Sequence, residues 1–216
     1  MTMRERILGA VRAALGPTSA DPAAIATEAA ALLEAPAAIR PALGLADPVA
    51  AFAARVVSPK VGATLDQIGT MAELPGVVRR YLATHALPPT LALQADPALR
   101  ALDWSGVTLR EAAGSDEAVA LGLADAGIAE TGSLVFRSGS TTAVLDHFLP
   151  LHHLAAVKAE SIVPYLEDFA AIAGKAPRNL NLITGASGTT DIEGSYVRGA
   201  HGPRFLHVIL IAAAAA

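Results

Sequence analysis

The chain has 216 residues, 53% of them hydrophobic, a formal charge of -4 at pH 7 and no cysteine. That is enough apolar material for one sizeable core, and without thiols the chain itself cannot hold a thiolate-ligated iron–sulfur cluster or zinc finger, nor use a cysteine nucleophile. Its sixteen basic residues are scattered apart from short pairs such as Arg79-Arg80, which argues against nucleic-acid binding, where a dense basic footprint is needed.

At the amino end, Ile7, Leu8, Val11, Ala14 and Leu15 fall at helical spacing, with Gly16-Pro17 as a stop. Arg12 interrupts the apolar run, so the segment reads as an amphipathic helix and not as a signal peptide, and a cytoplasmic location is expected. Residues 17–46 carry Pro17, Pro22, Pro36 and Pro41, too closely spaced for a long helix. They read as a connector with one short helix around Ala24 to Glu34. The expected division is therefore 1–46, helix and Ala/Pro-rich connector, and 47–212, a single domain.

From Asp47 helices alternate with short apolar strands. Asp47 caps a helix that has Pro48 at its first position and runs to about Ser58. A strand near Val61 to Leu65, a helix from Thr70 to His85, a strand at Thr90 to Gln94, a helix begun by Asp96-Pro97 and a strand at Val107 to Leu109 follow. A helix capped near Ser115 is expected next, because Asp116 and Glu117 suit its positive end. Ile128 to Phe136 reads as a strand or hairpin arm. The remaining pattern is strand Leu154 to Lys158, helix Glu160 to Ala173, strand Leu180 to Thr184, helix Thr189 to Val197 and strand Phe205 to Ile211. Alternation of this kind requires crossovers, so the expected class is α/β: a three-layer, Rossmann-like, mainly parallel sheet covered on both faces. The apolar tail from Phe205 to Ala216 is twelve residues long, short of the roughly 20 that a membrane-spanning helix needs, so no transmembrane segment is expected.

Two glycine-punctuated polar segments stand out against this background: Gly127 to Phe136, holding Glu130, Thr131 and Gly132, and Ile183 to Glu193, holding Thr184, Gly185, Ser187, Asp191 and Glu193. Glycine permits sharp turns and close approach to a ligand, while the acids and hydroxyls supply polar contacts. In open α/β sheets ligands sit outside the carboxyl ends of strands, and the 184–191 loop would then offer backbone N–H groups and a helix amino end to a small anion. It has neither a nucleoside-triphosphate loop nor a dinucleotide fingerprint. A simple helix cap explains its acids and hydroxyls equally well. Glu130, unusual in a strand, requires a solvent pocket or a partner, and a carboxylate there suits a base, a nucleophile or a cofactor contact. His147, His152 and His153 cluster around Leu149-Pro150 without metal-ligand spacing. No metal site is expected, and either of the latter two histidines is placed to line a pocket. His201, in the turn Gly199-Ala-His-Gly-Pro-Arg204, is a candidate for proton transfer.

The runs Ala129-Glu-Thr-Gly-Ser-Leu-Val135, Leu149-Pro-Leu-His-His153, Ser161 to Leu166, Ile183-Thr-Gly-Ala-Ser187, Thr190-Asp-Ile-Glu193 and Gly199 to Val208 resemble the lactate-utilisation (LUD-domain) family, most closely its LutC-type branch. The likeness is dense from about 120 to 211 and one of layout from 47 to 120. It implies a fold similar to NagB/RpiA/CoA-transferase-like proteins and a place in a system that oxidises L-lactate to pyruvate. Its cysteine-rich iron–sulfur partner subunits would carry the clusters that this chain cannot; any cofactor of this chain itself stays unknown. Carried onto matching positions, the resemblance gives Glu130 and His201 as catalytic candidates. Thr131, Gly132, His152, Thr184, Gly185, Ser187, Asp191, Glu193 and Gly202, with Pro203, become contacts for a small anionic ligand. The chain departs from the family in having Ala186 where a proline is usual and no basic residue at Gly188 or Thr189. Two other readings remain open at this level: a CoA-transferase or thioester enzyme with Glu130 as nucleophile, and a non-catalytic metabolite-sensing or assembly module.

Overall fold

The computed structural model describes residues 2–16, 21–34, 40–191 and 193–213, which fall into two compact units, Met1–Ala42 and Leu43–Ala216. In the first unit, α1 (Met3–Leu15) opens with a capping box in which Thr2 and Glu5 satisfy each other's backbone N–H, and α2 (Pro22–Glu34) follows. No residue of either helix is buried. The expected stop at Pro17, the connector residues around Pro36 and the alanine end at 214–216 lie outside the described residues.

In the second unit, α3 (Pro48–Val56) is capped as its sequence demands: the Asp47 carboxylate accepts from the N–H groups of Val49 and Ala50. The chain then forms β1 (Thr64–Ile68), a 3-10 turn at Met71–Glu73 running into α4 (Leu74–Thr84), β2 (Thr90–Leu93), the single-turn α5 (Pro97–Arg100) and β3 (Thr108–Arg110). β4 (Val119–Leu123) continues into β5 (Ala126–Ile128), which turns back as β6 (Ser133–Arg137). β7 (His152–Lys158) leads to β8 (Ile162–Val163), α6 (Leu166–Ile172) and β9 (Leu180–Ile183). A two-strand ribbon, β10 (Gly188–Thr189) and β11 (Val197–Arg198), precedes β12 (Phe205–Ile211).

The main sheet has the order β1-β12-β7-β4-β2-β3, every pair parallel, as the alternation predicted. Its inner strands β12, β7, β4 and β2 are buried on both faces while the edge strand β3 is exposed, and the two faces sort by parity. Along β12, Ile209 and Ile211 join Leu74, Val78 and Leu82 of α4 in one core, whereas Leu206, Val208 and Leu210 join Phe52 and Val56 of α3 in the other. The second face is covered by α3 together with a second sheet, β8-β5-β6-β9, where only β5 and β8 run parallel. That sheet has its own small core, Ala126, Ile128 and Val135 against Phe169 of α6. The neighbours β4 and β7 of the main sheet hand over to the parallel neighbours β5 and β8 of the second.

Four expectations need correction. The helix near Ser115 does not form: Val119–Leu123 is the central strand β4. Alanine and leucine mimic a helix there, but a strand buried on both faces also needs no polar alternation. Glu117 is instead buried with its carboxylate 3.4 Å from the Arg110 guanidinium. The helix Glu160 to Ala173 is divided by β8 and begins only at Leu166, after Pro164. Residues Gly188–Thr189 and Val197–Arg198 pair as an antiparallel ribbon, where a helix over Thr189 to Val197 was expected; Ile192, between them, lies outside the described residues. The first strand starts three residues later than expected, at Thr64.

Candidate functional site

A cavity of the second unit, about 300 Å³, lies between the two sheets at the amino ends of β7 and β12. Its lining combines Thr184, Gly185, Ala186, Ser187 and Gly188 with His201, Gly202 and Pro203, and with His147, Phe148, His153 and Leu206. The loop after β9 therefore does meet a cavity, but without a helix amino end to receive an anion. What shapes it is pinning by the neighbouring turn: the Ser187 N–H donates to the Pro203 carbonyl at 2.8 Å, and the Gly199 N–H to the Ser187 carbonyl at 2.9 Å. Gly185 has φ +80°, and a Cβ there would strike the carbonyl oxygen of Val61, so only glycine fits.

Two imidazoles form one wall. His147 Nδ1 and His153 Nε2 are 3.3 Å apart, and Phe136 lies against His147 with ring centroids 4.0 Å apart. Burial pushes the pKa of His147 down to about 4, and that of His153 down to about 3 with the His147 charge adding to the effect. Both rings are therefore neutral near pH 7. A hydrogen bond between two neutral imidazoles uses one N–H and one lone pair, so the remaining nitrogens, His147 Nε2 and His153 Nδ1, comprise one donor and one acceptor in either tautomer. Neither has a protein partner.

Of the predicted residues, the structure brings Thr184, Gly185, Ser187, His201 and Gly202 together in this cavity. Asp191 touches it indirectly: its carboxylate is 3.5 Å from His201 Nε2 and takes the Thr189 hydroxyl, which with the His201 charge lowers its pKa. Thr131 is joined to the cavity through hydroxyls, Thr131 to Ser133 at 2.7 Å and Ser133 to Thr184. The two glycine-rich segments thus meet. Gly132, at φ +72°, packs against Arg55 and Val56 at the end of α3. Glu130 is in the β5–β6 turn and not in a strand; its Oε1 accepts from the Leu166 N–H at 3.0 Å, capping α6, and it is not among the cavity residues. Glu193 is exposed at φ +53° and also outside the lining.

His152 is on the other face of the sheet. It is buried beside α4, with Nδ1 2.9 Å from the Tyr81 hydroxyl and its ring stacked on Phe205. Consecutive strand residues point to opposite faces, so His153 occupies the place given to His152. His147 is the functional candidate that sequence reasoning left without a role, and His153 the one it named only as an alternative to His152. Their signal was the period of two along Leu154 to Lys158, which puts His153 on the face of Ala155 and Val157.

Among the described residues no group of three or more metal-ligating side chains converges, and no helix is long and apolar enough to cross a membrane.

The family profile described as LUD domain matches residues 50–211. A protein named lactate utilization protein C from Geobacillus kaustophilus (strain HTA426) is 31% identical over 160 residues, covering 62% of this chain and 67% of that protein. One of the same name from Geobacillus thermodenitrificans (strain NG80-2) is 34% identical over 92 residues, 39% of this chain and 38% of that protein. A crystal structure of a DUF162 family protein from Deinococcus radiodurans aligns with a TM-score of 0.56 at 18% identity, covering 80% of this chain and 99% of that chain, a likeness of fold. With a mainly parallel α/β sheet and a profile match across most of its length, the chain belongs to the LUD domain family, on its LutC-type branch.

Proposed function

We propose that this protein serves lactate utilization, and that the His147–His153 cavity binds a small carboxylate substrate or anionic cofactor of that system. The observation that carries the reading is the cavity wall: two neutral, hydrogen-bonded imidazoles facing a glycine-rich loop across about 300 Å³. A pair that keeps one spare donor and one spare acceptor, both buried, is suited to move the proton of a hydroxyl that reaches it. Exposed backbone at Gly185, Gly188 and Gly202 and the imidazole of His201 are available to a carboxylate. Lactate oxidation removes a proton and a hydride equivalent, and the electron acceptor is assigned to cysteine-rich iron–sulfur partner subunits. The relatives named lactate utilization protein C support the system, and the geometry supports the pocket. The division into an amino-terminal helical segment, 1–46, and a LUD domain, 47–212, is retained as part of this proposal.

The thioester alternative needs a free Glu130 carboxylate facing a cavity, and that carboxylate caps α6. Lactate-dependent dye reduction by the complex, reconstituted with this chain, without it and with His153→Asn, tests the reading. The expected result is activity that requires the chain and falls at least ~100-fold with the substitution, the scale of losing a general acid or base. Full activity without the chain would end the catalytic-subunit version and leave a sensing or assembly role.

A further inference from the structure

On the opposite face of the main sheet, Thr64, Asp66, Arg80, Tyr81, His85 and His207 line a second hollow of about 230 Å³. Parallel registry of β1 with β12 sets Thr64 beside His207, whose Nδ1 is 2.8 Å from the Thr64 hydroxyl. Nε2 of the same ring faces the Asp66 carboxylate at 3.8 Å, too far for a hydrogen bond. The carboxylate favours the tautomer with the proton on Nε2, leaving the Thr64 hydroxyl to donate to Nδ1. His207 is 95% buried by its 5% exposure, and its Nε2 has no partner. A buried donor left so is destabilising until an acceptor reaches it.

Among the described residues no other group answers that donor. Asp66 is held away by Arg80, whose guanidinium is 3.1 Å from it, and both side chains are substantially exposed. An exposed ion pair of this kind contributes little and opens at low cost. An oxygen that enters beside Nε2 accepts its proton, but also sits against a carboxylate, so it must itself donate. A hydroxyl meets both demands. The Arg80 guanidinium, once released from Asp66, is free to hold an anionic group on the same molecule.

We infer that the Thr64–His207–Asp66 cluster with Arg80 is a second ligand site, separate from the His147–His153 cavity, for a small molecule bearing a hydroxyl next to an anionic group. Its occupant sits at the amino ends of β1 and β12 and is read by His207 and Asp66 through the hydroxyl and by Arg80 through the charge.

The test uses the full chain labelled at histidine nitrogens, with the His207 ring signals assigned by their loss in His207→Gln. Three probes are titrated: glycolate, which has hydroxyl and carboxylate, acetate, which lacks the hydroxyl, and ethylene glycol, which lacks the charge. Glycolate is expected to shift the His207 signals in a saturable way, at least ~10-fold more tightly than acetate, as a site built around a hydroxyl requires. Arg80→Gln, on the surface and harmless to the core, should weaken glycolate to the level of ethylene glycol, and Asp66→Ala should erase the preference over acetate. Unmoved His207 signals with all three probes, equal responses to acetate and glycolate, or unchanged binding in Arg80→Gln would each overturn the site. Binding lost in His201→Ala but kept in Arg80→Gln would place the ligand in the first cavity and end the proposal, while leaving the first cavity's reading intact.

Discussion

Gly185 carries the sharpest single-residue constraint in the chain, since its backbone is at φ +80° and its missing Cβ leaves room for the Val61 carbonyl. Gly185→Ala is expected to cost about 1–3 kcal/mol from strain and collision together, and to displace Thr184 and Ser187 from the cavity wall. Urea unfolding measures the first effect; the second appears as lost ligand response at His153 with the fold retained. His152 and His153 show how a residue's role depends on one step of strand phase. They are adjacent, yet one hydrogen-bonds Tyr81 beneath α4 and the other His147 in the cavity. The histidine cluster was legible in the sequence; which member lined the pocket was a matter of phase in β7, whose start at His152 is set by pairing with Val119 and Phe205.

At the scale of elements, caps were the most legible feature. Asp47 and Asp96 each sit where a helix begins, because a short acceptor satisfies free N–H groups locally and needs no tertiary partner, and Thr70 opens a helical turn with its N–H and hydroxyl both donating to the Glu73 carboxylate. Glu130 is a cap supplied from elsewhere in the chain, 36 residues before the N–H it meets. Glu130→Ala is expected to destabilise the protein by about 1 kcal/mol, with faster amide exchange confined to the start of α6, whereas Glu130→Gln retains an acceptor and loses less than half of that. If Glu130→Gln instead abolished lactate-dependent activity at unchanged stability, the carboxylate would have to act in the chemistry and not through α6. The elements that sequence misassigned share one cause. Val119–Leu123 owes its extended form to β2 and β7, remote in sequence, and the β10–β11 ribbon owes its own to pairing across a short loop, so in both cases strand pairing and not single-segment propensity decided.

For the molecule as a whole, four buried histidines set the response to acid. Burial lowers the pKa of His147, His152 and His207 from 6.5 to about 4, and that of His153 to about 3. In the unfolded chain these rings take protons near pH 6.5, so between that value and about pH 4 the unfolded state binds more protons and stability falls as pH falls. The stabilisation is complete above about pH 6.5 and lost on descending through the folded pKa values. Thermal melts at pH 7.5, 6 and 4.5 should show the midpoint dropping by at least ~10 °C across the series, most of it below pH 6.5; a flat profile would mean that the rings are hydrated in solution. The two compact units also predict that residues 43–213 fold without the first two helices. A single cooperative unfolding transition of that fragment, with the midpoint of the full chain, checks this, and a molten fragment would refute it.

Composition and pattern alone determined the α/β class, the parallel sheet, the absence of thiol chemistry and the segments that meet at the cavity, because these follow from periodicity, residue chemistry and local capping. Tertiary structure decided the rest. The transfer of β4 and β7 into a second sheet, the face on which each histidine lies, and the capture of Glu130 by α6 all depend on strand phase and on contacts between residues far apart in the chain. A one-residue change of phase reverses every side chain of a strand, and that phase is set by pairing across the sheet.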